Sequence, residues 1–421
     1  MRESLYRLLF GLLVFYGLAI VGGSLAVFFA QPYFDIFSVL RLAISAITLT
    51  GSSFSGELHL LTFPTQFIVL ILIQLGAFAW VVFVLQFANI AGLASIFSNK
   101  KSPLHFREIL LKSAGYLLLL EAFSAISIYV FSMNLPDVTQ GNNAFFYAVF
   151  NGISIFCHSG FTLMKDNFFN SITRQAYIFQ LVLVGIIILG NLGYASFFDL
   201  TSIKRLRQRL LDPNLNWTKQ TRLAIYGTAI CISAACMFFY LFESSRSLSE
   251  LKIVAAGITV FFNSVNWFGA GYYSLPAAIY SPALQWFVPF FMLLGSASGA
   301  FSVLGYGIYY YAFRRKKNAS AAYKALAKSA LAVLIYSLIV IIFSVLILTL
   351  LSHFSFKENL FHSVSAFTNT GLVINEGVSG NYWFYLMMLL GRIGVPLVAL
   401  LSFARNYKND DRTADENVML I

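Results

Sequence analysis

The chain has 421 residues, of which 59% are hydrophobic and only 11% charged, against roughly 25% charged in a typical soluble domain. So much apolar surface cannot be hidden in one core beneath a polar shell, which excludes a soluble enzyme or binding domain. The net charge of +11 would suggest nucleic acid in a soluble chain, but here the basic residues sit in short blocks between apolar runs, the positive-inside pattern of a multi-pass membrane protein.

In chain order, Arg2 and Arg7 precede the apolar run Leu8–Ala30. It is too long for a signal-peptide core and more spans follow, so it reads as a retained first membrane helix. Phe67–Leu85, Tyr177–Leu192 and Leu331–Leu351 are the next clear runs, and about 18 apolar residues suffice for a span. Between spans lie three basic loops, Lys100–Lys112, Lys204–Arg222 and Arg314–Lys328. With both termini and these loops on one side, that side collects 21 of the 28 Lys and Arg residues, so it is expected to be cytoplasmic. Eight acids lie on the opposite side, where they would concentrate cations mildly. Cys157, Cys231 and Cys236 have neither a disulfide nor a zinc spacing.

Four short segments align on one glycine: Ser45–Gly51, Ser154–Gly160, Val265–Gly271 and Ser365–Gly371. The glycines are 109, 111 and 100 residues apart. A small residue precedes each (Thr50, Ser159, Ala270, Thr370). A serine lies six positions earlier in three segments, and Phe150, Phe261 and Phe361 lie ten earlier. Near-constant spacing of this kind marks internal repetition. In each unit a long apolar helix is followed by a shorter amphipathic segment ending at the glycine, a few turn residues, and a second long helix. Phe145–Phe156 and Asn359–Phe367 are too short to cross about 30 Å of hydrocarbon and read as re-entrant. The irregular backbone after them must line a cavity or be buried in protein. The fold class is therefore an all-α polytopic membrane protein. Its four helix–pore helix–helix repeats surround a central pore, with eight spanning helices, four re-entrant helices and both termini on one side. The repeats are bounded at 1–98, 99–210, 211–318 and 319–421.

Such a repeat suits a dehydrated monovalent cation, whose water shell rings of backbone carbonyls can replace. Glycine admits the positive φ that turns successive carbonyls inward. Each short helix points its partly negative C-terminal end at the axis. Thr and Ser beside the glycines can add hydroxyl oxygens. No carboxylate lies in the four segments, which favours a monovalent ion over calcium or magnesium.

The chain resembles the TrkH/KtrB family of bacterial potassium transporters, part of the Trk/Ktr/HKT superfamily, over nearly its whole length. The resemblance is carried by Thr48–Gly51 with Gln74-Leu-Gly76, Gly190-Asn-Leu-Gly193 with Asp199 and Thr218-Lys219, and Phe262–Val265 with Gly269–Tyr272. The fourth repeat adds Phe361–Phe367 with Thr370–Leu372 and Gly391-Arg-Ile-Gly394. It implies potassium uptake through a selectivity filter made of Thr48, Leu49, Thr50 and Gly51; Cys157, His158, Ser159 and Gly160; Phe268, Gly269, Ala270 and Gly271; and Thr368, Asn369, Thr370 and Gly371. It implies a gate at Gly295, Ser296, Ala297, Ser298, Gly299 and Ala300, facing Arg392. It also implies a homodimer with a cytosolic nucleotide-binding regulatory subunit, in the cytoplasmic (inner) membrane. In this family a serine at the first filter glycine goes with sodium preference, and this chain has Gly51. The chain departs from the family at Phe268, where an arginine is usual, and at Cys157-His158-Ser159, where asparagines and alanine are usual. Gly295–Ala300 holds fewer glycines than the family's gating loop.

Arg392, costly within an apolar helix, is a barrier to ions or else pairs structurally with a carbonyl, Asp199 or Glu121. Glu121 is expected to be a structural acid between helices, and His158 and His362 to be hydrogen-bonded behind the filter. A polytopic transferase would need clustered His, Asp or Glu, and the five histidines are scattered with no phosphate-binding or zinc-protease motif. No enzyme activity and no cofactor are implied. A Na⁺-permeable or non-selective transporter of the same superfamily is the alternative.

Overall fold

The computed structural model describes residues 2–52, 58–90, 106–134, 143–169, 171–191, 196, 199–200, 203–211, 217, 219–295 and 321–406. Every regular element in it is helical. The first unit holds α1 (Arg2–Ala30), the short α2 (Ile36–Ile47) and α3 (Phe63–Ile90). The second holds α4 (Phe106–Asn134), the short α5 (Ala144–Phe156), a turn of helix α6 (Ser171–Gln175) and α7 (Tyr177–Asn191). The amphipathic α8 (Ile203–Leu211) leads to the third unit: α9 (Lys219–Glu243), the short α10 (Ile253–Asn266) and α11 (Pro282–Leu294). The fourth holds α12 (Ala321–Leu351), the short α13 (Phe356–Phe367), and α14 (Tyr382–Leu389) joined to α15 (Val395–Asn406) by a π-helical turn at Leu390–Gly394.

Six stretches of helix are long and apolar enough to cross a bilayer: Tyr6–Ala30, Phe63–Phe83, Ser113–Met133, Ala224–Glu243, Lys328–Leu351 and Tyr382–Asn406. The other two expected spans, α7 and α11, have 15 and 13 residues. At 1.5 Å per residue these reach only about 20 Å; the described residues stop at the end of α7 and one residue after α11. Burial is distributed as a membrane fold requires. Leu18, Phe29, Ile342 and Leu350 are exposed on the long helices, whereas Ser45, Thr48, Asn151, Ser154, Asn263, His362 and Ser365 are buried on the short ones. Water has no place against the outer faces, and the polar groups gather where the four short helices converge.

The second long helix of each unit packs on the short helix of the next: α3 on α5, α7 on α10, α11 on α13, and α14 on α2. That last contact closes the circle, so the four units surround one axis.

Candidate functional site

The four short helices are built alike. Side chains cap their starts in three units. Asp35 accepts from the Ser38 N–H, Asn143 accepts from the Phe145 N–H, and Ser355 and Glu358 form a reciprocal capping box. The hydrogen bonds from Ser38 and Ser355 hold the Asp35 and Glu358 carboxyls below the usual carboxylate range.

The C-terminal ends of α2, α5 and α13 close in the Schellman pattern. Thr50 N–H donates to Ser45 O at 3.0 Å, Ser159 N–H to Ser154 O at 2.9 Å and Thr370 N–H to Ser365 O at 3.0 Å. The residue between helix and bond is left-handed each time, yet none is glycine: Leu49 has φ 60°, His158 57° and Asn369 56°. Left-handed backbone costs an L-residue about 1–2 kcal/mol. Three such residues at equivalent positions mark a conformation held by its surroundings.

Two positions on, Gly51, Gly160, Gly271 and Gly371 have φ of 75°, 71°, 71° and 78°. They touch in a closed ring. A Cβ on Gly51 would run into the backbone of Ser159 and Gly160. One on Gly160 would meet the Thr50 carbonyl, with the Ala270 carbonyl at 3.5 Å. One on Gly271 would meet the Thr370 carbonyl, and one on Gly371 the Thr50 carbonyl. The carbonyls of Thr50, Ser159, Ala270 and Thr370 therefore cluster at the neighbouring glycines, where four helix C-termini converge.

The Thr and Ser hydroxyls belong to the scaffold. Thr48 Oγ1 donates to Ile44 O and lies 2.9 Å from Thr50 Oγ1. Thr368 Oγ1 donates to Val364 O and lies 2.8 Å from Thr370 Oγ1. Asn369 Nδ2 crosses from the fourth unit to Thr50 Oγ1 of the first at 3.0 Å and also donates to Met388 O. In the second and fourth units the serine six positions before the glycine clips the chain just beyond it. Ser154 donates to Phe161 O, and Ser365 donates to Leu372 O at 2.6 Å. Both carbonyls are thereby turned into the scaffold, away from the axis.

The third unit differs by one residue. In the second, Asn151 Oδ1 accepts from Thr162 Oγ1 and Leu163 N–H; in the fourth, His362 Nε2 accepts from Ile374 and Asn375 N–H; in the third, Asn263 Oδ1 accepts from Ser274 and Leu275 N–H. Asn151 and His362 lie nine positions before their glycines, Asn263 only eight. Matched on these groups, Phe150–Phe156, Phe262–Phe268 and Phe361–Phe367 are counterparts, and Phe268 corresponds to the last helical residue of α5 and α13. The buried phenylalanines are accordingly Phe150, Phe361 and Phe262, not Phe261. Only Gly269 and Ala270 separate Phe268 from Gly271, where the other units have three residues. Gly269, at φ 134°, takes the position of the left-handed residues, and Gly271 N–H itself donates to Asn266 O at 3.4 Å. The ring closes in the third unit with a shorter segment.

A second set of glycines seats the long helices on the short ones. A Cβ at Gly76 would collide with Ile47 O, at Gly190 with Phe156 O and the His158 ring, at Gly295 with Phe268, and at Gly391 with Phe367 O. Close approach through small residues is how membrane helices pack without a hydrophobic drive. Gly295 is thus described, whereas Ser296, Ala297, Ser298, Gly299 and Ala300 lie outside the described residues.

Arg392 is buried in the π-turn, and neither expected carboxylate reaches it. Asp199 is held by Arg205 at 2.6 Å, Arg209 at 2.7 Å and the Thr221 hydroxyl at 2.8 Å. Glu121 accepts from Gln74 Nε2 at 2.9 Å and from Cys157 Sγ at 3.4 Å, a direct tie to the second segment that sequence reasoning missed. The Arg392 guanidinium instead stacks 4.9 Å from the Trp80 ring centre, with Nε 3.4 Å from the Tyr16 hydroxyl. π-turns recur at functional sites, and a charge inside an apolar helix is costly enough to mark one. His362 is hydrogen-bonded behind its segment as expected. The His158 ring nitrogens make no hydrogen bond of good geometry among the described residues, and Nε2 lies against Gly190 instead. No cluster of three or more His, Cys, Asp or Glu suited to a resident metal occurs among the described residues.

The fold and this ring define a class: polytopic helical proteins in which four pore-helix units encircle one axis. No family model matches the chain. It is 25% identical over 411 residues to the Ktr system potassium uptake protein B of Bacillus subtilis, covering 90% of this chain and 88% of that one. It is 23% identical to the potassium/sodium uptake protein NtpJ of Enterococcus hirae, covering 96% and 95%. Its fold matches the crystal structure of the potassium transporter TrkH from Vibrio parahaemolyticus with a TM-score of 0.68 at 17% identity, over 93% of this chain and 84% of that one. Over nearly its whole length the chain is thus similar to the uptake proteins and transporters of the TrkH/KtrB superfamily, and it shares their multi-pass helical fold. These relatives are named as transporters, not enzymes, and the transferase reading falls away.

Proposed function

We propose that this protein carries K⁺ into the cell across the cytoplasmic membrane through the ring at Gly51, Gly160, Gly271 and Gly371. The observation that carries the reading is the closed ring itself, four positive-φ glycines each within reach of a neighbour's carbonyl. Carbonyls of Thr48–Gly51, Cys157–Gly160, Gly269–Gly271 and Thr368–Gly371 replace the ion's water. Phe268 supports the third segment from the helix end and lends no oxygen to the path. The 295–300 stretch and Arg392 form the barrier that opens for conduction.

The basic loops and both termini face the cytoplasm. The inside-negative potential then draws the cation inward by about 2.3 kcal/mol per charge per 100 mV. The units divide at 1–98, 99–210, 211–318 and 319–421. Two copies pair, and a cytosolic nucleotide-binding subunit regulates them; the name "Ktr system" borne by one relative supports a multicomponent assembly.

A second reading, permeability to both K⁺ and Na⁺, is favoured by the potassium/sodium relative. Rubidium uptake into proteoliposomes holding this chain alone separates the two. Competition by K⁺ and not by Na⁺ is the expected result. Equal competition establishes the second reading, and no uptake even with the cognate cytosolic subunit added contradicts both.

A further inference from the structure

Tyr272 follows the third-unit glycine directly, and its side chain leaves its own unit. The hydroxyl lies 2.7 Å from Ser154 Oγ and 3.1 Å from Phe161 O, both in the second unit. Ser154 Oγ also lies 2.5 Å from Ser159 Oγ and donates to Phe161 O. One proton assignment satisfies the cluster: Ser154 donates to the Phe161 carbonyl and accepts from both Tyr272 and Ser159, which fills its one donor and two acceptor places. All four residues are buried, and the Tyr272 ring is held edge-on by Phe168 with centroids 5.9 Å apart.

The third unit has no serine clip of its own, because Asn266 stands at that helical position and donates back to Phe262 O. Its shortened segment is instead tied to the clip of its neighbour. Ser159 belongs to the ring, and its carbonyl reaches Gly51. A hydroxyl on Tyr272 therefore bears, through Ser154, on the Phe161 carbonyl and the Ser159 hydroxyl, one on either side of Gly160. The opposite seam, between the fourth and first units, is pinned differently, by Asn369 on Thr50.

We infer that Tyr272 is a positioning residue for ion discrimination, holding the second and third segments at a fixed spacing through Ser154. The inference rests on the reading of the ring as the ion site. It predicts that removing one hydroxyl loosens the choice among ions. A buried network of this kind specifies geometry as well as stability.

The test is Tyr272→Phe in the full chain, which keeps the ring that packs on Phe168. Purified protein is heated in K⁺, Rb⁺, Cs⁺ or Na⁺, and the ion-dependent rise in Tm gives relative affinities without any need for flux. Tyr272→Phe is expected to narrow the wild-type ratio between best and worst ion about fivefold, the scale of one hydrogen bond's net worth, and to leave the Tm in choline nearly unchanged. A purely structural tyrosine would lower the choline Tm and keep the ratio, and that result overturns the inference. Should the variant not be recoverable, Ser154→Ala cuts the same link from the other side and must narrow the ratio as well. A wild type that distinguishes none of the four ions overturns the ring reading and the inference with it. A discriminating wild type with an unchanged variant overturns only the role of Tyr272.

Discussion

The third and fourth units carry almost the same helix, Phe262-Asn-Ser-Val-Asn-Trp-Phe268 against Phe361-His-Ser-Val-Ser-Ala-Phe367, yet they reach the ring differently. The fourth closes α13 with a Schellman bond, spends a left-handed Asn369 on it, and clips Leu372 O with Ser365. The third is one residue shorter, uses Gly269 where the backbone must turn, and borrows the clip of its neighbour through Tyr272. The scaffold behind the ring is thus fourfold while the ring is not. What is common to all four units is the helix and its seat on the next long helix; what differs is the length and hydrogen bonding of the segment at the axis.

The common part is broken most severely at a ring glycine. Gly371→Ala puts a methyl group into the Thr50 carbonyl at a φ of 78°. Left-handed strain and overpacking together cost about 3 kcal/mol or more. Rubidium uptake should fall more than about a hundredfold, and wild-type uptake by this variant would remove the ring from the ion path.

The differing part is sharpened by inserting one alanine between Phe268 and Gly269. The third segment then has the length of the others, but Tyr272 moves out of register with Ser154. The K⁺ over Na⁺ competition ratio in rubidium uptake should fall about five- to tenfold, the worth of one or two hydrogen bonds. An unchanged ratio would mean that the shorter segment has no bearing on ion choice.

Arg392→Ala probes what lies beyond the ring. A unit charge roughly 10 Å from a cation, at an effective dielectric near 20, opposes it by about 1.7 kcal/mol, or some tenfold in rate. Uptake per purified molecule should rise by about that factor. Loss of folded protein with unchanged uptake per molecule would assign Arg392 to its stacking on Trp80.

The fold was largely legible in the sequence because its two determinants are local. Apolar runs of membrane length fix the long helices, and the recurring glycine fixes the ends of the short ones. The ring glycines were legible for the same reason, since a positive φ where a Cβ would strike a neighbour's backbone selects glycine. Two things were not. Aligning the units on the glycine alone conceals a deletion beside it, although the match of Phe262–Phe268 with Phe361–Phe367 carries the signal. The contacts of Glu121 with Cys157 and of Tyr272 with Ser154 join residues 36 and 118 positions apart. Their partners are set by how units pack around the axis, and no local periodicity encodes that. The second glycine set had a faint signature, since Gly76, Gly190 and Gly391 all lay in the stretches that carried the family resemblance, but its cause, contact with a helix-end carbonyl, is visible only in three dimensions.

The most direct test of the ring as an ion site is anomalous diffraction from crystals of the protein grown in rubidium. The account predicts an anomalous peak on the axis among the carbonyls of Thr50, Ser159, Ala270 and Thr370, reduced when K⁺ replaces Rb⁺ in the soak. Rubidium bound elsewhere, with the axis at the four glycines empty, would contradict it.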